Sequence, residues 1–288
     1  MLRDLGYRPY DGPRLGPSHN WLVMLRHGLR RAWSSWIVKL VALTGWIPPL
    51  VALVLIGIHM MLEREAVARG VPPGAIPRLD PAQFVRTGFG WQTWLLVSLV
   101  STGAGATVIA EDLGQRAFSF YFSKPLTVEQ YLVGRTSAVA IWIFALLFGP
   151  AVLQIVALAA TATDGSTAER VGLLLPAFLY ALLAACVFAI GSVGVSALSS
   201  SRALTVTAWL VLFFVPHVLG SLVEAIAGWP WLLLGSLPAL LGTVADALLR
   251  VETGSAIRWF HAMPLLVLFA VGAWMLAARR LRAAEVVA

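Results

Sequence analysis

Lysine is nearly missing from this chain. Of its 21 basic residues, all but Lys39 and Lys124 are arginine. Neither lysine follows a glycine, so no G-x-x-x-x-G-K-[ST] phosphate loop is present, and ATP hydrolysis by the chain itself is not expected. Cysteine occurs once, as Cys186 within an apolar block, which excludes internal disulfides and cysteine-based metal clusters. Charge of either sign is scarce, at 12% of residues. No HExxH zinc motif, Ser/His/Asp arrangement or glycosidase-like carboxylate pair stands out, and the histidines include no close-spaced ligand set for a metal or haem. The reading is of a chain with no catalytic residues, no metal and no cofactor of its own. Its first 20 or so residues lack an apolar signal core, which reads as a retained cytoplasmic arm.

What the chain has instead is apolar length. Hydrophobic residues are 59% of it and the mean hydropathy is +0.82. Soluble domains run near half apolar with about a quarter charged. Here the excess arrives in blocks of roughly 20 residues or more, the length that crosses a hydrocarbon core. The net charge of +7 sits at the edges of these blocks, where anionic headgroups and topology signals favour arginine. Lipid, not nucleic acid, is the partner this implies.

Along the chain, residues 1–17 are rich in glycine, proline and arginine and read as an extended cytoplasmic arm. Over 18–36, Leu22, Leu25, Leu29, Trp33 and Trp36 recur at spacings of three or four, with Arg26, His27, Arg30 and Arg31 on the other side. This predicts a basic amphipathic helix lying in the membrane interface, or alternatively the cytoplasmic start of the first span. A transmembrane domain over 37–278 holds six spans, at about Val38–Leu62, Phe89–Ala110, Ser137–Ala160, Val171–Leu198, Leu204–Ala227 and Trp259–Ala278. Pro48 and Pro49 predict a kink in the first. Residues 229–250 are apolar but broken by Pro230, Gly235, Pro238 and Gly242, so they predict short re-entrant or surface helices on the outer side; a seventh span is the rival. The fold class is all-α membrane protein. Arg and Lys are twice as numerous in the loops and termini on one side as on the other, which places both termini, including the tail 279–288, in the cytoplasm.

Two sets of residues are candidates for function. In the fifth span, His217 and Glu224 lie seven apart and share a side; they either line a translocation path or form a structural pair. Gln92 and Gln154 predict inter-helix hydrogen bonds, and the Gly103/Gly105 and Gly191/Ser192/Gly194/Ser196 patches predict close helix packing. The richer set is the loop 111–135. Glu111 and Asp112 end an apolar span, a short mixed helix carries Phe118, Tyr121 and Phe122, and Pro125 breaks it after Lys124. Thr127 and Gln130 then have the spacing of a capping box that restarts a helix. On physical grounds alone this is an ordinary interfacial loop with snorkelling charges.

The same residues resemble the signature region of type-2 ATP-binding-cassette transporter permeases. In that family an acidic residue ends the second span, a coupling helix follows, a Ser-Arg/Lys-Pro-Leu-Thr turn comes next, and Tyr-x-x-Gly-Lys opens the third span. Here these stand as Glu111-Asp112, Ser123-Lys124-Pro125-Leu126-Thr127 and Tyr131-Leu132-Val133-Gly134-Arg135, with arginine where lysine is usual. The resemblance extends to the amphipathic leading helix, the six spans, the broken helices before the last one and the basic tail. It implies the multi-pass permease subunit of an exporter in the inner (cytoplasmic) membrane. Such a subunit pairs with a second permease copy and docks a separate P-loop ATPase that binds ATP and Mg. Glu111, Asp112, Arg116, Phe118, Tyr121, Lys124 and Pro125 would then couple the two, and the acids are expected to pair with Arg116 or with arginines of the leading helix. A secondary transporter or channel, or a non-transporting membrane anchor or mechanotransmitter, remain the alternatives.

Overall fold

In hydrocarbon, every backbone N–H and C=O must be satisfied within the protein, and a run of some 20 apolar residues does so as a helix. The computed structural model of the chain describes residues 19–34, 36–72, 79–118, 121, 126–162 and 166–287. Among these, six helices are long and apolar enough to cross a membrane: Val38–Ala68, Pro81–Gly114, Val128–Ala160, Thr167–Ser196, Arg202–Ala227 and Trp259–Ala283. No strand occurs among the described residues. The chain is an all-helical, multi-pass membrane protein. Its N-terminal arm, along with Lys124 and Pro125, lies outside the described residues.

The second, third and fourth spans form the core, and the fourth packs on both the third and the sixth. The fifth is peripheral, with only 11% of its apolar stretch buried. Its exposed Leu204, Val211, Val215, Val218, Leu222 and Ile226 would be untenable in water and suit a lipid surround. Small residues set the close approaches. A Cβ on Gly194 would meet Ala273 at 2.7 Å, and one on Gly191 would meet Phe269 at 2.5 Å, so both positions bring the sixth span against the fourth.

The first span departs from a simple kink. One helix, Trp36–Thr44, ends at a turn of Gly45 and Trp46, and a new one, Ile47–Ala68, begins there with both prolines in its first turn. Proline fits that position because its missing N–H would have had no helical acceptor there. The segment before the last span forms short helices, as its breakers predict: a 3-10 turn over Pro230–Gly235 and a helix over Leu237–Leu249. At 13 residues the latter is about 20 Å long, too short to cross a core of about 30 Å. It is no surface strap. Leu237, Leu240, Leu241, Val244, Ala245 and Leu249 are buried, packed against the second, fourth and sixth spans, and Arg86 forms an ion pair with Asp246.

The N-terminal helix, Asn20–Ser34, closes one edge on the third span. The buried positions are Met24 and Gly28, not the leucine stripe, and Leu22, Val23 and Trp33 stay exposed. Contacts follow a parallel register. Trp21 and Met24 sit at Gly134, Gly28 at Ala138, and Trp33 stacks on Trp142 with centroids 5.3 Å apart. A Cβ on Gly134 would lie 2.5 Å from that of Met24 and 2.6 Å from the Trp21 carbonyl. Gly134→Leu is therefore expected to weaken docking of this helix by about 1–3 kcal/mol. Faster tryptic cleavage at Arg26 and Arg30 would report it, and an unchanged cleavage rate would refute the close contact.

Candidate functional site

The third span is 33 residues long, about 50 Å, and so exceeds the hydrocarbon core by several turns. Its first turns are also its charged ones, which places them beyond the apolar zone. The helix starts on Thr127, whose hydroxyl accepts from the Gln130 N–H at 3.2 Å while the Gln130 side chain accepts from the Thr127 N–H at 3.2 Å. The predicted capping box is present. From that start, helical spacing sets Tyr131 and Arg135 one turn apart on one side, facing the end of the second span.

That end carries the two acids. The helix Val108–Gly114 holds Asp112 inward, 1% exposed, and Glu111 at the rim. Asp112 Oδ2 accepts from the Tyr131 hydroxyl at 2.6 Å and from Arg135 Nη2 at 2.7 Å. Its other oxygen lies 3.6 Å from Arg31 of the N-terminal helix. Glu111 is ion-paired to Arg31 through one oxygen and to Arg202, at the start of the fifth span, at 3.3 Å through the other. Two adjacent carboxylates thus tie together the N-terminal helix and the second, third and fifth spans. A buried pair such as Asp112–Arg135 is tolerable because Tyr131 and Arg31 share the carboxylate; unpaired, either charge would be very costly.

Beyond the acids the chain turns sharply. Arg116 takes a left-handed conformation with φ 53°, its N–H bonds to the Leu113 carbonyl at 3.2 Å, and that of Ala117 bonds back to Asp112 at 2.9 Å. This is a Schellman close with arginine in glycine's place. It sends Phe118 and Tyr121 back over Tyr131, at ring separations of 5.3 Å and 5.8 Å, and Arg135 also donates to the Tyr121 hydroxyl at 3.4 Å. Of the residues expected to form the loop's working surface, Glu111, Asp112, Phe118 and Tyr121 converge. Arg116 occupies the exposed turn, and Lys124 and Pro125 fall outside the described residues. Arg31 is one of the arginines of the N-terminal helix expected to pair with these acids, whereas Tyr131, Arg135 and Arg202 join the site without having been marked for it. The four-residue spacing of Tyr131 and Arg135, following directly on a capping box, was the available signal.

His217 and Glu224 are not joined. His217 Nδ1 is hydrogen-bonded to Ser236 Oγ at 2.9 Å and its ring meets Trp94 edge-on at 4.4 Å, so it serves as a tie between the fifth span and the short helices. Glu224 is exposed near the opposite end from the acid cluster. Gln92 is buried with neither amide atom partnered among the described residues, contrary to the expected inter-helix bond, while Gln154 lies against Gly88 of the second span. Among the described residues no three His, Cys, Asp or Glu side chains converge on a common point.

The second span is itself irregular. It contains two π turns, Thr93–Val97 and Ser101–Gly105, and breaks at Ala106–Thr107. The N–H groups that the break leaves open, on Ile109 and Ala110, are both accepted by Ser196 Oγ of the fourth span, at 2.8 Å and 3.0 Å. Ser101 accepts from Trp209 Nε1 of the fifth span at 3.0 Å. The Gly/Ser patch of the fourth span thus does more than permit close packing: it caps a neighbouring helix.

Compared with protein-family models and with curated proteins, the chain matches none.

Proposed function

We propose that the chain is the membrane permease subunit of an ATP-driven transporter of the type-2 ATP-binding-cassette kind, moving its substrate outward. It works paired with a second permease copy and docked to a separate P-loop ATPase, which carries ATP and Mg. The observation that carries this reading is the charge cluster on Asp112 and Glu111. The loop leaving these acids is anchored on Tyr131 and Arg135, so force applied to it reaches the N-terminal helix and three spans at once. A passive interfacial loop has no need of a buried carboxylate with three partners. Glu224, exposed on the fifth span, would line the substrate path only where that span faces the second copy.

The test is isolation under mild conditions: the permease is expected to copurify with a soluble P-loop ATPase. Isolation of a complete, active transporter from this chain alone would sink the proposal. The orientation that goes with it has the acid cluster and both termini in the cytoplasm of a cell whose inner membrane holds the protein. Cysteines introduced at Ala75 and Arg280, in a Cys186→Ala background, are expected to react with an impermeant thiol reagent from opposite faces. Labelling from the same face would overturn that orientation.

A further inference from the structure

Beside the acid cluster lies a cavity of about 250 Å³ between the N-terminal helix and the second and third spans. It falls at the small end of ligand pockets, which start near about 300 Å³. Arg31, Arg135 and Arg202 line it, together with Glu111 and Trp142. Arg135 is 1% exposed, and although one terminal nitrogen serves Asp112, its Nε and Nη1 have no hydrogen-bond partner among the described residues. The buried Trp142 Nε1 has none either. Three buried donors without acceptors on two residues that line one cavity are an anomaly, since buried polar groups are nearly always paired. Arginine and tryptophan can only donate, so the missing partner is an acceptor.

Charge specifies it further. Three arginines face Glu111 and, behind it, Asp112, which leaves one positive charge uncompensated. Lys39 adds another close by, 6.0 Å above the ring of Trp33, which stacks on Trp142. A water molecule would satisfy a donor but not the charge. A phosphate monoanion satisfies both, and guanidinium groups match its oxygens. Apart from Ser34 and Thr107 the rest of the lining is apolar, Val38, Gly103, Ala104, Val108 and Val139 among it. Free phosphate gains nothing from such a wall; the glycerol and upper acyl carbons of a phospholipid do.

We propose that this cavity binds the phosphodiester headgroup of an anionic phospholipid from the surrounding leaflet. The phosphate sits against Arg31, Arg135, Arg202 and the Trp142 N–H, and the lipid's apolar part runs along Val38 and Val139. The bound lipid braces the N-terminal helix against the third span. This inference is independent of transport and of any ATPase.

The test uses the full chain in a neutral detergent, followed by native mass spectrometry and thermal unfolding. The probes are phosphatidylglycerol, phosphatidylcholine with the same acyl chains, and inorganic phosphate. Phosphatidylglycerol is expected to be retained and to raise the unfolding temperature, while phosphatidylcholine and millimolar phosphate do neither. Trp142→Phe keeps the ring stack and removes one donor, and Arg202→Gln removes an exposed cation. Each is expected to reduce phosphatidylglycerol retention about tenfold in a protein that still folds. Equal retention of the two lipids would overturn the site, as would undiminished retention in both variants. Stabilisation by inorganic phosphate equal to that by lipid would overturn the lipid assignment and leave a free-phosphate site.

Discussion

Replacing Asp112 with alanine is expected to cost the folded bundle about 3–5 kcal/mol, the loss typical of breaking a buried ion pair on one side. Arg135, itself 1% exposed, would be left with its charge unopposed, and the Tyr131 hydroxyl would lose its acceptor. Thermal or detergent-induced unfolding would measure the change. The informative companion is the double substitution Asp112→Leu with Arg135→Met. Removing both charges leaves no orphan, and apolar replacements of similar volume are often neutral or stabilising for such pairs. The double variant is expected to regain most of the loss. If it unfolds as readily as the single variant, charge compensation is not what holds this end of the bundle together.

Charge reversal at Glu111 is expected to do the opposite, sparing stability and damaging communication. Its side chain is 20% exposed and its partners Arg31 and Arg202 are 36% and 63% exposed, so solvent-screened pairing there contributes only about 0–1 kcal/mol. Glu111→Lys sets a third cation between two arginines and releases the N-terminal helix and the fifth span from the second. In the proposed complex with a P-loop ATPase, stimulation of hydrolysis by this chain is expected to fall about tenfold, about 1.4 kcal/mol in activation free energy. Exchanging the pair, as Glu111→Arg with Arg31→Glu, should restore part of it. Normal stimulation by a reversed-charge variant that still binds the proposed ATPase would exclude Glu111 from coupling.

These opposite expectations for adjacent carboxylates come from the structure, because the sequence treats Glu111 and Asp112 alike. Much else was legible. Apolar block length determined the spans, Thr127 and Gln130 marked a helix start to the residue, and the prolines and glycines of 229–250 favoured short helices over a seventh crossing, which the 13-residue helix then decided. Each of those signals is local: a propensity, a cap or a breaker acts within a few residues of itself. The partners of Asp112 are 19 and 23 residues away along the chain, and Arg31 lies further still. No periodicity encodes such a meeting. The position of Pro48 and Pro49 shows the limit from the other direction. Two prolines announce an interruption, but whether they kink a helix or begin one depends on where the preceding turn closes, here at Gly45 with the Leu96 side chain close by. The π turns of the second span carried no sequence signal at all.

The clasp between Ser196 and the open N–H groups of Ile109 and Ala110 bears on how this molecule deforms. A continuous helix passes bending along its own axis, as a rod does. The second span is instead two rods with a joint at Ala106–Thr107, and the shorter one is fastened sideways to its neighbour. A load applied at Glu111 would pass sideways through this joint into the fourth span, whose far flank is keyed to the sixth through Gly191 and Gly194. The fourth and sixth spans pack closely on one another, and the two π turns of the second span lie on the far side of the joint.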